Sequence, residues 1–369
     1  MEKPERTLAR TYLSPPLVAI IASRRNSRLN ILDLSYDELI RYLVKKKIER
    51  YRADQVLDWV YKKGVYHFND MTNLPLTLRK IMNDLFTVEI PRFVTKTVSS
   101  SDKTTKYLWK LNDANTIESV LLFHEGHTTG CISTQVGCPV GCSFCATGRS
   151  GYVRNLSSGE IVGQLLTMEN ISNYKIRNVV LMGMGEPLLN YNEVLKAIRS
   201  LIHPKMKNMG ARRITVSTVG IPEKIRRLTD EGIDLKLAVS LHASTNEKRD
   251  QVIPLNKAHP IQELIEALKY YQQKTKNRIT IEYILIRKFN DYDYDAENLA
   301  QLLEDLKVFV NLIPVNPVDA NMQRPEKWKT RRFREVLLKH GIEATIRYEK
   351  GADIQAACGQ LRARKGYHS

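Results

Sequence analysis

The sequence predicts an α/β protein whose larger part is a parallel sheet with helical crossovers, preceded by a helical module and a small antiparallel β extension. Three observations carry this. Beyond Gly130, apolar runs of strand length alternate with amphipathic stretches of helical period. Between Ser35 and Leu85, apolar residues recur three and four positions apart. Between those regions lie short β-rich runs separated by turn compositions. A chain of 369 residues that is 43% hydrophobic can fill one large core and a smaller accessory one.

Taken in order, residues 1–28 are basic and carry Pro15 and Pro16, and they read as a mobile arm. Glu2, Glu5 and an apolar stretch no longer than Leu17 to Ala22 argue against a leader peptide, and that stretch is far below the roughly 20 residues of a membrane span. Residues 29–92 read as a helical accessory domain. Ser35 and Glu38 have the spacing of a capping box before Leu39, Ile40, Leu43 and Val44; Ala53, Val56, Leu57, Val60 and Tyr61 form a second apolar face, and Leu78, Ile81, Met82 and Leu85 a third. Lys45 to Lys47, Arg50, Arg52, Lys62 and Lys63 stud the polar faces, either as a solvated surface or as an RNA contact.

Residues 93–128 form the antiparallel extension, with turns at Ser100-Ser101-Asp102 and Asn112-Asp113-Ala114-Asn115. Residues 129–350 hold strands expected at Asn178–Met182, Ile214–Ser217, Leu235–Leu241, Ile279–Ile286, Val308–Ile313 and Ala344–Arg347, with helices between them. Such repetition fits an open doubly wound sheet or a full or partial (β/α) barrel, with functional residues at the C-terminal ends of the strands. Residues 351–369 form a Gly-, Ala- and Asp-containing terminal segment that carries Cys358.

Lys and Arg outnumber Asp and Glu by 57 to 40, and the resulting charge of +17 favours a polyanion: nucleic acid first, an anionic membrane as the competitor. Five cysteines are too few for a disulfide scaffold and point to a reducing cytoplasm with metal or redox use. Three of them, Cys138, Cys142 and Cys145, form a C-x3-C-x2-C run with Phe144 before the last. Three thiolates can hold three irons of a cubane and leave the fourth open to a chelating substrate. The run alone also admits a structural zinc site, for which His124 and His127 lie nearby, or three buried thiols.

The glycine-rich run Gly183 to Pro187 follows an expected strand, where small residues let backbone approach a ligand, although a plain strand-to-helix turn looks the same. It is neither a Walker motif nor G-x-G-x-x-G, so no phosphate cradle is expected. Ser217 or His242, taken alone, reads as a satisfied structural polar group.

The C-x3-C-x2-C run resembles the signature of the radical S-adenosylmethionine superfamily. With it stand Gly130 to Gln135, Met182-Gly183-Met184-Gly185-Glu186-Pro187, Ser240-Leu241-His242, Asn311 to Pro314 and Asp353 to Leu361, and together these resemble the RlmN and Cfr family of RNA adenine methyltransferases from about residue 30 to 362. The resemblance implies a partial (β/α)6 TIM-type barrel and one 4Fe-4S cluster on Cys138, Cys142 and Cys145. It implies S-adenosylmethionine, two per turnover, held by Gly185, Glu186, Ser217, Ser240, Leu241, His242 and Asn316. Val318 to Lys329 matches no recognised pattern. An aromatic amidine carbon is electrophilic and does not attack a sulfonium methyl, whereas a thiolate does. By resemblance, Cys358 therefore takes the first methyl group, a 5′-deoxyadenosyl radical activates that methyl for addition to the ring, and Glu118 accepts the ring proton. Cys131 then releases the RNA by forming a disulfide with Cys358.

The implied reaction is methylation at carbon 2 of adenine in 23S ribosomal RNA, at the peptidyl transferase centre, and in transfer RNA, at the adenine 3′ of the anticodon. Pro187 resembles the carbon 2 branch, whereas Ala146-Thr147-Gly148 fits both it and the carbon 8 alternative. A flavodoxin or ferredoxin would supply electrons to a cytoplasmic monomer that uses no membrane. A metal-stabilised RNA-binding module without turnover is the rival of another class, and it leaves Cys131 and Cys358 without a task.

Overall fold

The structure, a computed structural model, describes residues 28–317, 322–347 and 350–362. Apart from Arg28, the expected arm lies outside the described residues, as do the first four residues of the loop 318–329. Strand β1 (Leu29–Asn30) opens the helical module, α1 (Tyr36–Lys45), α2 (Tyr51–Tyr61) and α3 (Leu76–Leu85) follow, and β2 (Phe86–Thr87) closes it by pairing in parallel with β1. Helix α1 starts where the sequence puts its cap: Ser35 Oγ accepts from the Glu38 amide at 3.2 Å, and Glu38 Oε2 accepts from the Ser35 amide at 2.8 Å. A cap of this kind contributes about 1 kcal/mol. The apolar positions read as faces, Leu39, Leu43, Val56, Leu57, Val60 and Met82 among them, are buried.

Strands β3 (Arg92–Val98), β4 (Thr105–Lys110), β5 (Thr116–His124) and β6 (His127–Cys131) are joined as antiparallel neighbours. The cysteine loop is framed by β7 (Gln135–Gly137), α4 (Ala146–Arg149) and β8 (Tyr152–Asn155). Then come α5 (Ser158–Ser172), β9 (Asn178–Leu181), α6 (Tyr191–Ile202), β10 (Ile214–Thr218), α7 (Pro222–Asp230), β11 (Lys236–Ser240), α8 (Asn246–Val252) and α9 (Ile261–Thr275). The chain continues through β12 (Ile279–Leu285), α10 (Asp293–Leu303), β13 (Val308–Pro314), α11 (Lys327–Lys339) and β14 (Ala344–Ile346).

One sheet of order β14-β13-β12-β11-β10-β9-β6-β5-β4-β3 runs through the molecule. From β6 to β13 the parallel strands are each followed by helix, and short β14 adds a last strand, so the sheet is an open (β/α)6 barrel with one strand more. Strand β6 pairs antiparallel with β5 on one side and parallel with β9 on the other. The extension and the barrel are therefore one hydrogen-bonded surface, and the expected boundary between residues 128 and 129 falls inside β6. The helical module seats on the barrel's outer helices: Asp33 Oδ1 accepts from the Gly159 amide at 2.7 Å, Lys196 pairs with Glu38 at 3.0 Å, and Tyr36 stacks on His203 with ring centroids 4.3 Å apart. An added Cβ at Gly159 would lie 2.7 Å from Asp33, which explains a glycine in the first turn of a helix.

Candidate active site

The C-terminal ends of the parallel strands open on a cleft with two lobes. The second lobe carries Cys138, Cys142 and Cys145 together with Gly185, Glu186, Ser217, Ser240 and His242; the first carries Cys131 and Asn316. Cys358, Cys145, Met182, Gly183 and Arg347 line both lobes.

The three-thiol loop is set by its glycines and a local hairpin. The Cys138 amide donates to Gly151 O at 2.9 Å, and an added Cβ at Gly137, where φ is +76°, would strike that same oxygen at 2.0 Å. Val140, Cys142 and Phe144 pack on Val252, Ile253, Ile284, Ile286 and Val315, so the loop has its own apolar anchor. Burial pushes the Cys138 thiol up to about 12, and Cys142 well above its ordinary value, with neighbouring thiols adding to both. Cys138 and Cys142, each opposed by a neighbouring thiol, need positive charge nearby to become thiolates together, as an iron-sulfur cluster provides. Among the described residues no three His, Cys, Asp or Glu converge as ligands of a single ion. His124 and His127 instead stack on each other, with centroids 4.8 Å apart, beside the β5–β6 turn.

Glu186 is buried, and its carboxylate accepts from the Leu188 amide at 3.0 Å and the Val219 amide at 2.8 Å, which straps the loop after β9 to the loop after β10. Burial lifts its pKa to about 7. His242 Nδ1 accepts from the Ile284 amide at 3.1 Å, which leaves the ring proton on Nε2. Burial first, then Arg249, pushes that ring's pKa down to about 3, so it stays neutral. Leu241, expected as a cofactor contact, is buried in the core and does not line the cleft, since it points away from the face that Ser240 and His242 supply. Asn316 sits in the first lobe, where its side-chain amide donates to Cys358 O at 3.3 Å.

The glycines after β9 line the cleft and are also held tightly by the protein's own packing. A Cβ on Gly183 would lie 2.7 Å from the Ile132 carbonyl, and one on Gly185, where φ is +105°, 2.6 Å from Gln135 Cβ. Gly185→Ala is therefore expected to cost about 2–4 kcal/mol of stability, read as a lower urea midpoint.

Cys131 is buried at the end of β6, and burial first, then the neighbouring Cys358, pushes its thiol up to about 12, with Arg347 opposing. Cys358 is exposed on a turn closed by the Gln360 amide to Ala357 O at 3.1 Å, and both cysteines are free thiols. Glu118 is buried and not on the surface, but it does not line either lobe: Oε1 lies 3.5 Å from Lys106 Nζ, and Oε2 accepts from the Arg362 amide at 3.0 Å. Two residues of the cleft were not anticipated. Glu282 sits beneath Arg347 at 3.7 Å in the second lobe, and a carboxylate inside the apolar run Ile279 to Ile286 was the signal available for it.

A model of the radical SAM superfamily matches residues 132–303, and one of the ribosomal RNA large subunit methyltransferase N-terminal domain matches residues 29–88. A protein described as probable dual-specificity RNA methyltransferase RlmN, from Pseudothermotoga lettingae, is 61% identical over 336 residues, covering 91% of this chain and 98% of that protein. One of the same description from Thermotoga maritima is 57% identical with the same coverage. The crystal structure of a radical SAM methyltransferase from Sphaerobacter thermophilus is similar with a TM-score of 0.87 and 43% identity, covering 90% of this chain and 99% of that one.

Proposed function

The chain belongs to the RlmN family of radical SAM RNA methyltransferases, and from that premise we propose that it methylates carbon 2 of adenine in 23S ribosomal RNA and transfer RNA through Cys358. The observation that carries this reading is the position of Cys358 on the wall of both lobes, one lined by three thiols and the other by Cys131. A binding module would need neither of the two remaining thiols.

Cys138, Cys142 and Cys145 would hold the 4Fe-4S cluster, with Gly185, Glu186, Ser217, Ser240, His242 and Asn316 around S-adenosylmethionine. Together these groups supply methyl groups and an oxidant strong enough to take hydrogen from a methyl carbon. Cys358 Sγ loses its proton and accepts one methyl; that carbon, after losing one hydrogen, bonds to C2 of adenine and tethers the RNA. Glu118 takes the C2 proton once its contacts to the terminal segment open, and the adduct gives up one electron, which the cluster would accept if held by Cys138, Cys142 and Cys145. Cys131 Sγ then attacks Cys358 Sγ: an S–S bond forms, the S–C bond breaks, and the released methylene gains a proton to become the product methyl. One methyl carried by Cys358 and one hydrogen removed from it account for two S-adenosylmethionine molecules per product. A low-potential flavodoxin or ferredoxin would supply electrons to a cytoplasmic monomer. Among the described residues no helix is long and apolar enough to cross a membrane.

Relatives described as dual-specificity, at 53–61% identity, support carbon 2 and two RNA classes over the carbon 8 reaction. The test is anaerobic reconstitution with iron and sulfide, reaction with ribosomal and transfer RNA, and mass spectrometry against 2-methyladenosine and 8-methyladenosine standards. Appearance of the 8-methyl product alone, or stoichiometric zinc in place of iron in oxygen-protected protein, would overturn the proposal.

Lys45, Lys46, Lys47, Arg50, Lys62 and Lys63 are exposed on the helical module, which we propose as part of the RNA-contacting surface. Each phosphate neutralised releases condensed counterions, so RNA affinity is expected to fall by about 10³-fold or more between 50 and 200 mM salt if about six contacts form. A flat salt dependence in filter binding would remove the basic interface.

A further inference from the structure

The segment that carries Cys358 does not rest on the barrel alone. Asp102 Oδ2 accepts from the Gly351 amide at 2.9 Å, and Asp353 Oδ2 accepts from the Ser100 amide at 3.1 Å. Gly351 itself is pressed against the hairpin, since an added Cβ would lie 2.7 Å from Thr104. Further along, Lys106 Nζ donates to Gln355 O at 3.1 Å while standing 3.5 Å from Glu118 Oε1, and Glu118 Oε2 accepts from the Arg362 amide at 3.0 Å. The Lys106 and Glu118 side chains are only 8% and 3% exposed.

One buried ion pair on β4 and β5 therefore grips the main chain on both sides of Cys358, at Gln355 before it and at Arg362 after it. A lysine with its Nζ in such a place loses hydration that only well-placed acceptors can offset, and these include the Glu118 carboxylate on β5 and the Gln355 carbonyl of the terminal segment. An exposed thiol on a short turn has little packing of its own to fix it, whereas reaction with two lobes in succession tolerates misplacement of well under an ångström or so.

We propose that Lys106 is a positioning residue for Cys358: with Glu118 it forms a clamp that holds both flanks of the thiol-bearing turn where the two lobes meet. The clamp rests on the reading of Cys358 as the methyl carrier, and it assigns the antiparallel extension a part in catalysis. While it is closed, both oxygens of Glu118 are engaged, so a turnover in which Glu118 takes a proton includes a step in which the clamp opens.

The test uses the cluster-loaded full chain and compares Lys106→Met, Lys106→Arg and Asp353→Ala with the parent. Hydrogen exchange of the peptide 351–362 and the rate at which diamide, taking up two electrons and two protons, joins Cys131 to Cys358 are read without RNA. In Lys106→Met, exchange is expected to speed up about tenfold and disulfide formation to slow about tenfold. Its kcat should drop about 100-fold with KM for RNA within about twofold, and Lys106→Arg should restore most of the loss. Asp353 is exposed on the segment's surface, so Asp353→Ala should shift both RNA-free readouts the same way by a smaller factor even if Lys106→Met fails to fold. Unchanged exchange and an unchanged disulfide rate in Lys106→Met, or in Asp353→Ala should Lys106→Met fail to fold, would overturn the clamp. Methylation surviving Cys358→Ala would instead overturn the function, while leaving these two readouts as they stand.

Discussion

Cys358→Ala leaves RNA affinity within about twofold of the parent and lowers methylation by more than about 10³-fold, to the limit of detection in a mass-spectrometric assay. The split follows from where the residue sits. The Cys358 side chain is exposed on a turn fixed by main-chain contacts, Asn316 to Cys358 O and Ala146 to Gly359 O, so removing the sulfur takes away no packing of consequence. The basic faces of the helical module are left as they were. What disappears is the one thiol lining both lobes that is not assigned to the cluster, among the described residues. A pure binder would show no methylation before or after the substitution, and an enzyme that transferred its methyl group directly would lose little.

Cys131→Ala is expected to halt the reaction one step later, with a different product in the tube. The thiol is buried at the end of β6 and faces the first lobe, and its raised pKa means that it is protonated at neutral pH until something at the cleft changes its surroundings. Without it, nothing attacks Cys358 Sγ once the RNA is tethered. RNA linked to protein should accumulate toward one equivalent and survive denaturing electrophoresis, with turnover down by more than about 10³-fold. Free methylated RNA at the parental rate, with no linked species, would remove Cys131 from the mechanism.

The strands of the barrel are legible because a parallel strand buried on both faces must be written as a continuous apolar run. Asn178–Leu181, Ile279–Leu285 and Val308–Pro314 fall within a residue of the expected bounds. The cysteine loop is legible for another reason: its three ligands are local, and their spacing needs no knowledge of the fold. Glu282 and Arg347 meet only when β12 and β14 take their places on either side of β13, and neither spacing nor period encodes that meeting. Glu118 shows the same limit from the opposite side. Its place in a β-rich run is plain, yet burial against Lys106 and the terminal segment depends on residues about 244 positions away.

A sheet that stays open has two borders, and each offers unpaired amides and carbonyls to any passing strand. At one border β14 spans only Ala344–Ile346, too short a template to recruit much. At the other, β3 lies almost wholly in solvent, interrupted by a register shift between Phe93 and Thr95 and charged at Arg92 and Lys96. An irregular, cationic rim of this sort resists extension by a second molecule, so the protein can keep its apolar Phe93 and Val98 in water without seeding fibrillar self-association.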